Sequence, residues 1–127
     1  MEKIVIRTEN APAPFQGAPY NQAIRAGELV FVAGQLGLKP GDTALEGDVA
    51  AQTEQALRNL GAILEEAGSS LENLVKTSVF LQDLGDFAAM NEVYARYVGT
   101  KPPARSTFQV AKLPSGALVE IEAVAHL

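Results

Sequence analysis

The sequence predicts an α+β protein with the element order β-β-β-α-β-α-β-β, in which two helices cover one face of a mixed sheet. Three observations support this prediction: short β-branched or alternating runs, two longer segments with apolar residues every three or four positions, and turn residues between them. The 127 residues are expected to form one domain, residues 1–127.

The N-terminal part contains three predicted strands and a long loop. Residues 3–7, KIVIR, form a β-branched run, and two further strand-like runs cover Gln22–Arg25 and Leu29–Ala33. Ala26-Gly27-Glu28 predicts a hairpin turn between the latter two. The Pro-rich residues 9–22 predict a loop, and a loop of that length is usually functional or disordered.

The first helix is predicted between Asp48, a good N-cap, and Gly68, a good residue to follow a helix. Polar side chains, Gln52 and Asn59 among them, are expected mostly toward solvent. The expected buried stripe contains seven apolar residues: Val49, Ala56, Leu57, Leu60, Ile63, Leu64 and Ala67.

The second helix is predicted to begin after Asp86 as N-cap and to end at Gly99. Glu92 and Arg96 are spaced as an outward i,i+4 ion pair. The expected inner stripe is Phe87, Met90, Tyr94, Tyr97 and Val98.

Three strands complete the predicted sheet. Leu74–Leu81 is largely apolar on both faces, which indicates a central strand. Arg105–Ala111 follows, and Leu118–Ala125 alternates strongly. On the face away from the helices the last strand places Leu118, Glu120, Glu122 and Val124. Such a mixed face is either plain solvent surface or an assembly interface that lines a site.

Composition excludes several classes of function. With no cysteine and only His126, the chain offers no thiolate site, no cysteine nucleophile and no multi-histidine metal site. A net charge of −5 argues against a nucleic-acid binder. Neither a secretory signal nor a membrane-spanning run is evident, so a cytoplasmic protein is expected.

Four residues are unusual for their positions. Arg105 opens a strand after Pro-Pro-Ala and could capture a carboxylate with two donors, although a surface ion pair is commoner. Glu120 interrupts an apolar strand, where a carboxylate is costly unless it is paired, working or simply solvent-facing. Asn91 lies at the edge of a helical apolar stripe and Tyr20 in a Pro-stiffened loop, and either residue could be structural.

Five blocks resemble the reactive intermediate deaminases of the RidA/YjgF family, and together they cover nearly the whole chain. They are PYNQAI (Pro19–Ile24), VAGQLG (Val32–Gly37), KTSVFLQDLGDFAAMNEVY (Lys76–Tyr94), PPARSTFQVAKLP (Pro102–Pro114) and VEIEAVA (Val119–Ala125). The resemblance implies a chorismate-mutase-like fold and a homotrimer with sites between subunits. It also implies hydrolysis of 2-enamino and 2-imino acids, such as 2-aminoacrylate and 2-iminobutyrate, to 2-keto acids and ammonia without metal or organic cofactor.

The same resemblance implies a role for individual residues. Arg105 would hold the substrate carboxylate and Glu120 would position or activate water. Tyr20 and Asn91 would line the cleft, and Gly34 would offer backbone groups. Two residues differ from common family patterns. Ala33 stands where the family often has Ser, and Thr107 stands where many bacterial members have Cys. Thr107 is also expected to contact the substrate.

Two other functions remain open at this stage. Some relatives are assigned RNA cleavage or inhibition of translation, which the small number of basic residues disfavours. A 2-keto-acid-binding or chaperone-like member without turnover is the other alternative. Retention of both Arg105 and Glu120 speaks against it, since pure binding needs no water-activating carboxylate.

Overall fold

The computed structural model describes residues 1–127, and its element order is the predicted one. The strands are β1 (Lys3–Ile6), β2 (Ala23–Ala26), β3 (Leu29–Leu36), β4 (Leu74–Leu81), β5 (Ala104–Gln109) and β6 (Val119–His126). The helices are α1 (Val49–Glu66) and α2 (Phe87–Tyr97).

All six strands form one sheet in the order β1-β2-β3-β6-β4-β5. Only β4 and β5 pair in parallel, and every other pair is antiparallel, so the sheet is mixed as predicted. β4 lies between β6 and β5, which agrees with its apolar faces, and β5 forms an edge of the sheet.

Both helices pack on one face of the sheet, and the core lies between the two layers. The predicted N-cap of α1 is confirmed, because Oδ1 of Asp48 accepts a hydrogen bond from the Ala51 N–H at 3.0 Å. The prediction that Gln52 and Asn59 face solvent is wrong, because both are buried. Their amides bind backbone groups at the ends of β3 and β6, which removes the cost of burying them.

The start of α2 also differs in part from the prediction. Asp86 occupies the N-cap position without a side-chain capping bond, whereas Asp83 accepts from the Gly85 N–H at 2.7 Å one turn earlier. Phe87 does not join the inner stripe but is 41% exposed. The outward pair of Glu92 and Arg96 is present at 3.6 Å.

The face of the sheet away from the helices is partly apolar, as the alternation in β6 predicts. Phe31 and Phe108 are 45% and 48% exposed there, and the rings of Phe80 and Phe108 lie 5.7 Å apart. Glu122 and Lys76 lie among these apolar side chains. No helix of the chain is both long enough and apolar enough to cross a membrane.

Candidate active site

Glu120 projects from β6 into a cavity of about 360 Å³ on the face away from the helices. Two other predicted site residues, Tyr20 and Gly34, line the same cavity. The remaining lining residues come from the 9–22 loop, β3 and the segments after β3 and before β6: Pro12, Ala13, Phe15, Gln22, Ala33, Gln35, Leu36, Leu38 and Pro114.

A β-bulge in β3 brings Gly34 against the Glu120 side chain. Val32 pairs with Ala123 and Gln35 with Ile121, so two residues of β3 oppose one residue of β6. A Cβ atom at residue 34 would lie 2.7 Å from Oε2 of Glu120, closer than non-bonded atoms approach. The Glu120 carboxylate can therefore occupy this position only because residue 34 is a glycine.

The Glu120 carboxyl is half-buried and has no cationic partner within the chain. Burial raises the pKa of Glu120 above its ordinary value, and the negative charge of Glu122 on the same strand raises it further. Such a carboxyl holds its proton nearer to neutral pH than a surface glutamate does, which suits proton transfer.

One buried amide fixes the loop wall of the cavity. The Gln22 Nε2 donates to the carbonyl oxygens of Thr8, Ala11 and Pro12 at 3.0, 3.2 and 2.8 Å. Its Oε1 accepts from the Thr8 N–H at 2.8 Å. This role of Gln22 was not predicted from the sequence, although a glutamine next to the apolar Ala23-Ile24 run is a signal for a buried, fully bonded amide.

Two side-chain amides of α1 form hydrogen bonds to the backbone of the opposite wall of the cavity. Asn59 Nδ2 donates to the carbonyl oxygens of Leu36 and Leu38 at 3.1 and 2.8 Å. Gln52 Oε1 accepts from the Leu118 N–H at 2.9 Å, just before β6. The buried helix therefore fixes both chain segments that carry the cavity, which gives Glu120 a rigid support.

The Tyr20 ring lines the cavity, and its hydroxyl group takes part in the turn that precedes it. The hydroxyl oxygen accepts a hydrogen bond from the Phe15 N–H at 2.7 Å, while the ring lines the cavity. Gln16 and Gly17 between them both have positive φ, at 52° and 66°, which is costly for a glutamine. The ring of Tyr20 is thus held by the turn.

Arg105 lies in a different cleft, of about 400 Å³, beside α2. Its guanidinium carbon is 4.8 Å from the ring centre of Tyr94 and 5.5 Å from that of Phe87. Asn91 lines the same cleft. The two ion pairs of the chain are Arg58–Glu54 and Arg96–Glu92, so the Arg105 guanidinium has no carboxylate partner.

Tyr94, which lines the Arg105 cleft, belongs to a pair of buried hydroxyl groups. Tyr94 and Thr77 share a hydrogen bond of 2.6 Å. Burial raises the pKa of Tyr94, while the bond to Thr77 and the charge of Arg105 oppose the rise. Two residues after Arg105 on the same strand, Thr107 has a buried Oγ1 without any hydrogen-bond partner. Buried hydroxyl groups in folded proteins nearly always have a hydrogen-bond partner, so this oxygen is an exception.

The structure therefore brings together two groups of predicted residues but does not unite them within one chain. Glu120 pairs with Phe80 of β4, whereas Arg105 pairs with Thr77, whose side chain points to the opposite face. The two clefts have no lining residue in common. No group of three or more His, Asp or Glu side chains is placed to hold a metal ion.

Comparisons with known proteins place the chain in a family. A sequence model described as Endoribonuclease L-PSP matches residues 8–127. A RutC family protein of Pyrococcus horikoshii is 50% identical over 98% of this chain and 98% of its own length. The chain belongs to the RidA/YjgF family. The resemblance found in the sequence is therefore confirmed.

Other members of the RidA/YjgF family agree in sequence and in fold. The mouse protein named 2-iminobutanoate/2-iminopropanoate deaminase is 46% identical, over 95% of this chain and 89% of that protein. The crystal structure of RidA from an Antarctic Psychrobacter superposes with a TM-score of 0.93 at 43% identity, covering 98% and 99% of the two chains. The similarity in sequence and in fold thus extends over nearly all of this chain.

Proposed function

We propose that this protein hydrolyses 2-imino acids and their enamine tautomers to 2-keto acids and ammonia. The observation that best supports this proposal is that the chain has two clefts with complementary chemical groups. One cleft holds Asn91 and the unpaired Arg105 guanidinium, and the other holds the half-buried Glu120 carboxyl. Because the clefts lie on opposite faces, the proposal requires a second copy to bring one cleft against the other. A homotrimer with sites between subunits meets this requirement and covers the exposed Phe31 and Phe108.

The Arg105 cleft would bind the substrate carboxylate. A guanidinium presents two parallel donors that match a carboxylate, and the rings of Tyr94 and Phe87 hold its plane in position. The Asn91 amide lines the same cleft and adds hydrogen-bonding groups of the kind that orient a small polar ligand. Thr107, two residues further along β5, would add its hydroxyl group, which has no hydrogen-bond partner within the chain. Since the chain carries a net charge of −5, this local cation is what makes an anionic substrate favourable.

Glu120 would act as the general base and acid at C2, the carbon that water attacks. In its ionised form it accepts a proton from a water molecule as the water oxygen bonds to C2, and the C=N double bond becomes a single bond. That proton passes from Glu120 to the nitrogen and gives a C2 carbinolamine. Glu120 then takes the proton of the C2 hydroxyl and transfers it to the nitrogen, the C–N bond breaks with its electron pair on nitrogen, and ammonia leaves as C2=O forms. Water, the 2-imino acid, the 2-keto acid and ammonia balance without oxidant or metal. Tyr20 and the Gly34 backbone shape the space around C2.

A coupled assay tests this function. A pyridoxal-phosphate-dependent dehydratase generates the imine from serine or threonine in situ, and 2-keto acid release is followed with and without the protein. We expect clear acceleration by the wild type and none by Arg105→Ala. Arg96→Ala is the matched control, because Arg96 lies in an exposed pair with Glu92 on the far side of α2. Equal turnover in the presence and absence of the wild-type protein would contradict the proposal.

The family description, Endoribonuclease L-PSP, favours RNA cleavage as a second candidate function. The same preparation is therefore incubated with a labelled single-stranded RNA at low and physiological salt. Cleavage that Arg105→Ala abolishes, together with absent imine hydrolysis, would favour RNA as substrate over the imine. Binding of 2-oxobutyrate without turnover of any imine would instead indicate a non-catalytic keto-acid binder.

A further inference from the structure

A groove of about 360 Å³ continues the Glu120 cavity on the side away from the carboxylate. Cavity and groove have four lining residues in common: Pro12, Ala13, Phe15 and Leu38. Glu120 and Gly34 line the cavity but not the groove, and five residues line the groove but not the cavity: Pro14, Gln16, Gly41, Asp42 and Thr43. The four common residues thus form a junction, and the groove leads from it away from the reacting end.

The junction is preformed, because the backbone of its residues is tied on both sides. The carbonyl oxygen of Pro12 accepts from Gln22, and that of Leu38 accepts from Asn59, each at 2.8 Å. The Phe15 N–H donates to the Tyr20 hydroxyl. A gap between two walls fixed in this way is a stable feature of the surface and suits a ligand group.

The combined space is larger than the smallest imino acids need. The cavity alone falls within the roughly 300–1,000 Å³ of pockets that hold drug-sized ligands. The side chains at the junction are apolar, and Ala33 in the cavity wall adds no hydroxyl group. At the far end Asp42 places a negative charge, which disfavours an acidic substrate side chain.

We propose that this groove is a side-chain subsite that selects 2-imino acids with aliphatic side chains of four or more carbons, such as the imino acid derived from leucine. The proposal rests on the proposed function, since it assigns the substrate class of that same site. With the carboxylate held by Arg105 and C2 beside Glu120, an apolar substituent on C2 extends across Phe15 and Leu38 into the groove. Each methylene placed in an apolar pocket changes kcat/KM by roughly 10-fold or more.

The test compares two imines generated in situ by amino-acid oxidases, 2-imino-4-methylpentanoate from leucine and 2-iminopropanoate from alanine. Ala13→Leu narrows the junction, and Ala13 is exposed, so the variant is expected to fold. Ala44→Leu is the control, because this exposed alanine lines neither the cavity nor the groove. The rate of imine loss is measured by competition with semicarbazide, and kcat/KM is taken for each imine.

We expect the wild type to prefer the leucine-derived imine, and Ala13→Leu to reduce the ratio of the two kcat/KM values about tenfold. Ala44→Leu should leave both values unchanged. If both imines are hydrolysed but the ratio is the same in Ala13→Leu, or the wild type prefers the alanine-derived imine, the subsite is refuted and the proposed function stands. If neither imine is hydrolysed faster with the protein, the proposed function fails and the subsite fails with it.

Discussion

The Glu120 carboxylate occupies the space that a side chain at Gly34 would fill, because a Cβ atom at residue 34 would lie 2.7 Å from Oε2 of Glu120. The β-bulge of β3 creates this approach by setting two residues against one of β6. The position of the carboxylate therefore depends on a glycine in the neighbouring strand as much as on the strand that carries Glu120.

Gly34→Ala should lower kcat for imine hydrolysis by about 10- to 100-fold, because a displacement of the carboxylate by about 1 Å is enough for a loss of that size. Gly61→Ala is the matched control, since its new Cβ meets only the flexible Leu71 side chain at 3.3 Å. Circular dichroism establishes that both variants fold. If folded Gly34→Ala keeps the wild-type kcat, the rate of imine hydrolysis does not depend on the position of the Glu120 carboxylate.

Glu122→Gln should move the acidic limb of the pH–rate profile to lower pH. Burial and the Glu122 charge both raise the pKa of Glu120, so loss of that charge lowers the pKa. Because the attack of water requires ionised Glu120, activity then appears at lower pH, with little change on the alkaline side. The measurement is kcat from pH 4 to 8, with Glu92→Gln as a surface control. An unmoved limb in Glu122→Gln would exclude coupling of the two carboxyls.

Local sequence patterns were sufficient for the fold because caps, turns and alternation act over short distances. Asp48 caps α1 as predicted, and β6 alternates between Ile121 and Ala123 on the core side and Glu120 and Glu122 on the other. Gln52 and Asn59 were assigned to solvent because helical spacing does not reveal a backbone carbonyl from another segment that needs a donor. Such tertiary hydrogen bonds override the polar pattern.

Residue type and motif were sufficient to predict which residues belong to the site. They were not sufficient to predict how these residues are arranged in space. Arg105 and Glu120 were singled out from the sequence, yet their separation onto opposite faces depends on the pairing register of β4 with β5 and β6. The role of Gln22 depends on how the 9–22 loop folds back, which no periodicity in the sequence encodes.

Thr107→Val tests whether the buried hydroxyl serves a ligand. Since Oγ1 has no hydrogen-bond partner, its replacement by a methyl group should leave the free energy of unfolding unchanged or raise it. Binding of 2-oxobutyrate, measured by calorimetry, should weaken by about 2- to 13-fold, the equivalent of one hydrogen bond. A destabilised variant that binds 2-oxobutyrate normally would assign Thr107 a structural role only.

Gln22→Leu should reduce the free energy of unfolding by at least about 1–3 kcal/mol, because three carbonyl oxygens and one N–H of the loop lose their buried partner. Urea unfolding at fixed protein concentration measures the effect. Gln109→Leu is the control, since this exposed amide accepts a single bond, from the Leu84 N–H. Equal stability of the two variants would mean that the 9–22 loop is not held by Gln22.

The division of the site between copies is tested most directly by mixing two inactive variants. Arg105→Ala and Glu120→Gln are each purified, combined in equal amounts, unfolded and refolded together, and assayed for imine hydrolysis. If each site takes Arg105 from one copy and Glu120 from another, about one quarter of the sites regain both groups, and about a quarter of wild-type activity returns. If both groups act within one chain, every site in the mixture lacks one of them, and an inactive mixture of correctly assembled protein would contradict the account.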